Sequence, residues 1–342
     1  MAAAPHDGLR GLLRGLFAAM VCAAGTAGAQ TAQWQLATGY RAEVFHTENL
    51  RQFAREVGAA TGGALKIDVH PNNQLAKLSE IRAQVEAGKI AAGEVIMTSL
   101  VKEVPVAGAD AVPFVVGSYE DARRLWQHQR PIIDQALAPR GLLALYAVPW
   151  PSQGLYTTRP IASIADLKGA RMRTYNATTV RIAELLGASA VDVPMVEVGK
   201  ALAAGRIDSM ITSGVTGVEN KVWDHLKYFY DIKAWFPKNL VLVNKARFEA
   251  LTPEQREAVR RAAQAAEERG WAASEAASVA SLKELAAHGM RIESPGFEFR
   301  NELRRYGDKF SLEWVRTTGQ DASAILIPYY TAGVVKGALV AR

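Results

Sequence analysis

The sequence predicts an α/β protein folded as two lobes on one plan, with a long helix spanning both. Three observations lead there. Strand and helix signals alternate from Gln33 onward. One helix–turn–strand unit occurs twice: Glu80-Ile81 to Ala87-Gly88-Lys89-Ile90 matches Glu197-Val198 to Ala204-Gly205-Arg206-Ile207, position for position. A helix opened by Thr252-Pro253-Glu254-Gln255 runs without a break to His288-Gly289. At ~1.5 Å per residue it reaches about 50 Å, more than one lobe of this size covers.

The first lobe is expected over residues 30–150. A strand is predicted at 34–38. Thr47 or Asn49 then caps a helix whose apolar positions Leu50, Phe53, Ala54 and Val57 share one face, and Thr61-Gly62-Gly63 ends it. Residues 65–69 alternate as a strand, and Pro71-Asn72-Asn73 turns the chain. Ser79 is expected to cap a second helix with Ile81 and Val85 inward, stopped by Gly88. A buried strand follows at 94–97. Ser118 and Asp121 have capping-box spacing for a helix carrying Leu125 and Trp126, and a separate helix at 132–137 leads to a strand at 142–148.

Trp150 to Gly154 is irregular, polar and aromatic, and marks a crossing into a second lobe at 151–237. Ser163 and Asp166 are spaced to cap a single helical turn, which Gly169 closes. A strand at 171–174, a helix ending at Gly187, a strand at 191–193, a helix at 196–204 and a strand at 207–211 complete the lobe. The chain returns to the first lobe over about 238–280. The tail, 281–342, has a strand near 290–293 and a helix at 298–315, and is expected to pack on the second lobe. Gly270, inside the long helix, suggests a bend there.

The chain has 342 residues, enough for two ordinary domains, with 49% hydrophobic and 22% charged residues. The net charge of +6 is not gathered into a basic run, so it favours a small anion over nucleic acid. The first thirty residues read as a secretory signal peptide: Arg10 and Arg14, then the apolar Leu16 to Ala24, then the small residues Ala27-Gly28-Ala29. Cleavage near Ala29 would remove Cys22, the sole cysteine. The apolar run is too short to span a bilayer, and nothing later is long enough either. No phosphate-binding glycine loop, nucleophile elbow or histidine ligand spacing is present. Catalysis is therefore not expected, no cofactor is assigned and no residue is singled out as a metal ligand; whether a metal ion assists binding is left open by the sequence.

In open α/β sheets ligands sit beyond the carboxyl ends of strands. The repeated unit runs into Thr98-Ser99 in one copy and Thr212-Ser213 in the other, so two facing lobes would aim both pairs into one cleft. Arg171 and Arg173 lie two apart and share a strand face. A guanidinium is planar, permanently charged and bidentate, which suits a carboxylate. The plainer reading makes both arginines surface charges at a sheet edge.

Taken in order, several segments resemble the periplasmic solute-binding proteins of TRAP (tripartite ATP-independent periplasmic) transporters, the DctP-like group. The carriers are Phe53-Ala54, Pro71-Asn72-Asn73-Gln74-Leu75 and Val112-Pro113-Phe114, then Asp166-Leu167-Lys168-Gly169 through Arg173. Ala204-Gly205-Arg206-Ile207-Asp208 and the helix opened by Leu251-Thr252-Pro253 complete them. The resemblance covers essentially the whole chain after the leader. It implies a type II-like two-lobe periplasmic binding protein that closes on a small organic acid and delivers it to a membrane permease. It also implies that Arg173, rather than Arg171, pairs with the ligand carboxylate.

The chain departs from the group in two places. Met210-Ile211-Thr212-Ser213 stands where many members carry a Glu-Asn-Pro-like segment, and the crossing offers Gln153 where some place a second arginine. Losing that cation points to a monocarboxylate. Thr98, Ser99, Thr212, Ser213, Gln153 and Asn239 are then expected to orient the remaining oxygens. Tyr40, Trp150 and Trp235 are expected to line a partly apolar pocket, with hinges near Trp150 and Pro237. Rival readings are a binding protein for an ABC importer or a sensor kinase, and a secreted enzyme.

Overall fold

The computed structural model describes residues 32–340, with side chains through Ala332; the expected signal peptide and its cleavage site lie outside the described residues. In chain order the first part holds β1 (Ala32–Ala37), α1 (Phe45–Ala60), β2 (Leu65–His70), α2 (Ile81–Glu86), β3 (Ala92–Ile96), α3 (Tyr119–Leu137) and β4 (Leu142–Pro149). The second holds β5 (Gly154–Thr157), β6 (Arg171–Thr174), α4 (Ala177–Leu185), β7 (Ser189–Asp192), α5 (Val198–Ala203), β8 (Ser209–Thr212), α6 (Gly214–Glu219) and β9 (Tyr228–Tyr230). The chain then returns through β10 (Lys238–Asn244), α7 (Lys245–Glu249), α8 (Pro253–Ala287), β11 (Arg291–Glu293), α9 (Phe297–Thr318) and α10 (Gln320–Val340).

These elements make two mixed sheets. One has the order β2-β1-β3-β10-β4, the other β11-β9-β5-β8-β6-β7. In each, a strand that enters from a crossing runs antiparallel to its neighbours: β10 between β3 and β4, and β5 between β8 and β9. The duplicated unit is real in three dimensions. Glu80 and Glu197 precede α2 and α5, and Gly88 and Gly205 both take a positive φ, 67° and 63°, before the next strand. The turn ahead of β6 also forms as expected, with a Ser163–Asp166 capping box and Gly169 at φ 76°.

The helix from Pro253 is continuous over 35 residues and starts with a Thr252–Gln255 capping box. Its buried face is mostly small: Ala258, Ala262, Ala263, Ala266, Gly270, Ser274 and Ser281. Near its start it packs on α1 and β4, and further on against α6 and β11. Trp271 Nε1 donates to Ala147 O at 3.0 Å, Ala147 N donates to Glu267, and a Cβ on Gly214 of α6 would meet Ser281 Oγ at 2.4 Å. One helix therefore touches both sheets. The largest hydrophobic core is likewise continuous across the crossings, from Ile81 and Leu125 through Trp235 to Ile182 and Phe310.

Several local expectations change. Neither Thr47 nor Asn49 caps α1, which begins at Phe45. Asn49 is buried inside the helix, where Nδ2 donates to Ala266 O and Oδ1 accepts from Arg269 Nε, binding α1 to α8. Ser79 does not cap α2 either; Glu80 stands at that position. The two helices expected around Pro131 are one, because the buried stripe Leu125, Trp126, Ile133 and Leu137 carries α3 past the lost backbone donor. Strands β5, β9 and β10 and helix α10 were not foreseen. The tail does not rest on the second lobe alone: α10 packs on α3, and Tyr329 Oη donates to Val115 O.

Gly270 does not interrupt α8. It lets the helix approach β4, since a Cβ there would lie 2.4 Å from Val148 Cγ2 and 2.8 Å from Asn49 Nδ2. Gly270→Ala gains about 1 kcal/mol of helix propensity but overpacks a site where such changes cost about 1–3 kcal/mol. The net expectation is a lower midpoint in urea unfolding; a higher midpoint would mean that the approach is not tight.

Candidate functional site

A cavity of about 360 Å³ lies where the strand ends of the two sheets face each other, in the range that encloses small-molecule ligands. The first sheet contributes Tyr40 after β1, Asn73 and Lys77, Leu78 and Ser79 after β2, and Ile96 at the end of β3 with Ser99 just beyond it. The second contributes Arg173 and Tyr175 from the end of β6, Asp192 at the end of β7 with Pro194 to Glu197 beyond it, and Thr212, Ser213 and Thr216 around the start of α6. Trp150, Gln153 and Pro237 come from the crossings.

Arg173 is 4% exposed, whereas the other charged lining residues, Lys77, Asp192 and Glu197, are exposed. Its Nε donates to Val193 O at 2.9 Å, and its guanidinium carbon lies 4.7 Å from the centre of the Tyr175 ring. No carboxylate among the described residues pairs with it. Burial pulls its pKa down to about 10, against the opposing influence of Tyr175, Asp192 and Tyr40, so it stays charged at neutral pH. Arg171, on the same strand face, has a different fate. It is half exposed and its Nε donates to Asp208 at 2.9 Å. The register of β6 puts Arg173 at the inner end of the strand and Arg171 at the outer end, beside Ser189.

Tyr175 follows Arg173 on the same alternation. Burial pushes its phenol up to about 12, with Arg173 and the Trp235 indole pulling the other way. Thr212 is buried with no hydrogen bond for its hydroxyl among the described residues, which leaves it free for a ligand. Ser213 Oγ caps α6 by accepting from Thr216 N at 3.3 Å. Ser99 is exposed and donates to Ile96 O. Gln153 Nε2 donates to Pro151 O, which fixes the carboxamide in the crossing.

Of the ten expected binding residues, seven line the cavity: Arg173, Gln153, Thr212, Ser213, Tyr40, Ser99 and Trp150. Three do not. Thr98 Oγ1 accepts from Asn176 Nδ2 at 2.7 Å and so joins the two lobes. Trp235 borders a separate apolar cavity with Phe114 and Ile182, and reaches the site through Tyr175 and through its carbonyl, which accepts from Gln153 N at 3.0 Å. Asn239 stands behind the wall: Oδ1 accepts from Trp150 Nε1 at 2.9 Å and Tyr40 Oη at 3.2 Å, and Nδ2 donates to Glu94. Tyr175, Thr216 and the loops 73–79 and 194–197 were missed. Continuing the period-two reading from Arg173 would have reached Tyr175; the Asn73 turn was read only as a turn and a family motif, and 194–197 only as a strand end and a helix start.

A second bridge joins the lobes at the cavity rim. Arg41 Nη1 donates to Glu219 O at 2.8 Å and lies 3.6 Å from the Glu219 carboxylate, while Nη2 donates to Val196 O at 3.4 Å. Burial raises the Glu219 carboxyl to about 7, Arg41 opposes this and Glu43 adds to it. A carboxyl raised on folding contributes stability below its unfolded pKa and loses it as pH rises to the folded value. Glu219→Gln is therefore expected to be more stable than the wild type above pH 7, with the gap closing toward pH 4.5, in paired thermal melts across that range. A constant gap would contradict it.

Residues 40–313 match the family described as DctP, bacterial extracellular solute-binding protein, family 7. The chain is 39% identical to DctP6 of Bordetella pertussis, an extracytoplasmic solute receptor binding pyroglutamic acid. That structure aligns with a TM-score of 0.86 over 88% of this chain and 100% of the other. It is 37% identical, at TM-score 0.86 over 88% and 99%, to a marine metagenome TRAP solute binding protein specific for pyroglutamate, solved with co-purified pyroglutamate. Among curated relatives, the 2,3-diketo-L-gulonate-binding periplasmic protein of Escherichia coli (strain K12) is 25% identical over 272 residues, 75% of this chain and 80% of the relative.

Proposed function

The chain belongs to family 7 of the bacterial extracellular solute-binding proteins, and from that premise we propose that it captures a small monocarboxylate and hands it to a TRAP membrane permease. Pyroglutamate is the first candidate, since it is the ligand of the two receptors at 39% and 37% identity. The observation that carries the reading is the buried Arg173, charged and without a protein carboxylate. A charge held that way is costly unless a partner arrives. A ligand carboxylate supplies that partner, with a bidentate pair on the terminal nitrogens while Nε stays on Val193 O.

Arg173 is the one buried cation among the described lining residues, which fits one carboxylate better than two. Tyr40, Trp150 and Tyr175 give the remaining wall an apolar character suited to a compact ring. Thr212 and Gln153 are placed to hydrogen-bond a second polar group. Ligand closure would use the bridges already present, Arg41 to Glu219 and Asn176 to Thr98, and bend at Trp150–Gln153 and at Pro237.

Removing one member of a buried pair costs about 3–5 kcal/mol, or on the order of a hundred- to several-thousand-fold in affinity. Arg173→Ala is expected to lose pyroglutamate binding by at least ~100-fold in isothermal titration calorimetry while melting no lower than the wild type without ligand. Arg171→Ala is expected to bind as the wild type does. Wild-type affinity in the Arg173 variant would reject the assignment.

A further inference from the structure

The polarity of the wall opposite Arg173 follows from one donor. Trp150 Nε1 lies 2.9 Å from the Asn239 side chain, and an indole N–H can only donate. The atom facing it must be the carboxamide oxygen. The amide nitrogen then points the other way, to Glu94 Oε1 at 3.0 Å, and Glu94 is held on its other oxygen by Thr38 Oγ1 at 2.7 Å. A flipped Asn239 would set donor against donor at Trp150 and oxygen against carboxylate at Glu94, so both ends fix one orientation.

Tyr40 Oη lies 3.2 Å from the same Asn239 oxygen. A carboxamide oxygen only accepts, so Tyr40 must spend its single proton there. Burial first, and then the nearby Glu94 charge, hold the phenol well above its usual pKa, so the proton is present. The Tyr40 oxygen is left with lone pairs alone. Tyr40 lines the cavity and is close enough to Arg173 for the two to act on each other electrostatically.

We infer that this cleft selects carboxylates that carry an N–H or O–H donor beside the carboxylate, and that Tyr40 Oη is the acceptor that reads it. The inference rests on Arg173 taking the carboxylate. An acid with an ether or ester oxygen at that position would set lone pair against lone pair in a buried site, where an unmade hydrogen bond costs about 1–3 kcal/mol. Glu94 and Asn239 act as positioning residues; neither lines the cavity.

The test compares pyroglutamate with its lactone isostere, 5-oxotetrahydrofuran-2-carboxylate, in which the ring N–H is replaced by oxygen. Calorimetric titrations of the wild type are expected to favour the lactam by about 10- to 100-fold. In Tyr40→Phe the ratio is expected to fall toward one, because the lactam loses its acceptor while the lactone loses its clash with the Tyr40 oxygen. Equal binding of the two acids to the wild type would overturn the inference, as would an undiminished ratio in Tyr40→Phe. Either result leaves the arginine assignment standing if Arg173→Ala still abolishes binding. If the wild type binds neither acid nor any other carboxylate, the arginine assignment fails first and this inference with it. The wild-type ratio needs no variant, so it remains decisive should the Tyr40→Phe protein not fold.

Discussion

The structure depends on keeping one guanidinium buried and unpaired. Arg173 gives up water for a single backbone carbonyl and the face of Tyr175. Neither neutralises it, and the desolvation shows in its lowered pKa. A lone chain segment would let such a side chain swing back to solvent. Here β6 is flanked by β7 and β8, and Val193, just beyond β7, holds Nε from the side. The packing of the second sheet thus sustains a charge that favours an incoming anion.

The crossings explain how two sheets share one site. All seven residues of β10 are buried, and its three polar side chains each serve a different joint. Lys238 sits beside Asp110, with its backbone N–H donating to that carboxylate at 2.7 Å. Asn239 orients Tyr40 and Trp150. Asn244 caps α7 and donates to Val85 O in the last turn of α2. A strand inserted antiparallel between β3 and β4 therefore links the crossing at Pro237, the cavity wall and the outer helices. The Asp110–Lys238 pair also shows desolvation acting on both partners: burial raises the Asp110 carboxyl to about 6 and lowers Lys238.

The cleft wall combines one buried charge with a fixed hydrogen-bond polarity. Arg173 supplies the charge. The Trp150–Asn239–Glu94 chain is fixed in direction, because each link admits one arrangement of donors and acceptors. His46 completes this buried cluster: its ring lies 4.3 Å from that of Trp150, and Nδ1 approaches Glu94 Oε1 to 3.2 Å.

Features set by local chemistry were legible in the sequence. The Thr252-Pro253-Glu254-Gln255 start, the Gly88 and Gly205 stops and the Ser163–Asp166 turn each depend on neighbours within a few residues, and each formed as read. Arg173 was legible for the same reason, since strand alternation and a family motif both fall within eight residues. Strands β5 and β9 are short, and β10 carries polar residues at both ends, so none shows the pattern that marks a strand. Asn49 and Thr98 were assigned local or ligand-facing roles, yet their partners, Ala266 and Asn176, are distant in sequence. The sequence by itself determined the lobed α/β plan, the spanning helix and the arginine. Only the tertiary structure decided which hydroxyls face the cavity and which way Tyr40 points its proton. Those outcomes are set by contacts between segments far apart in the chain, and no local pattern encodes them.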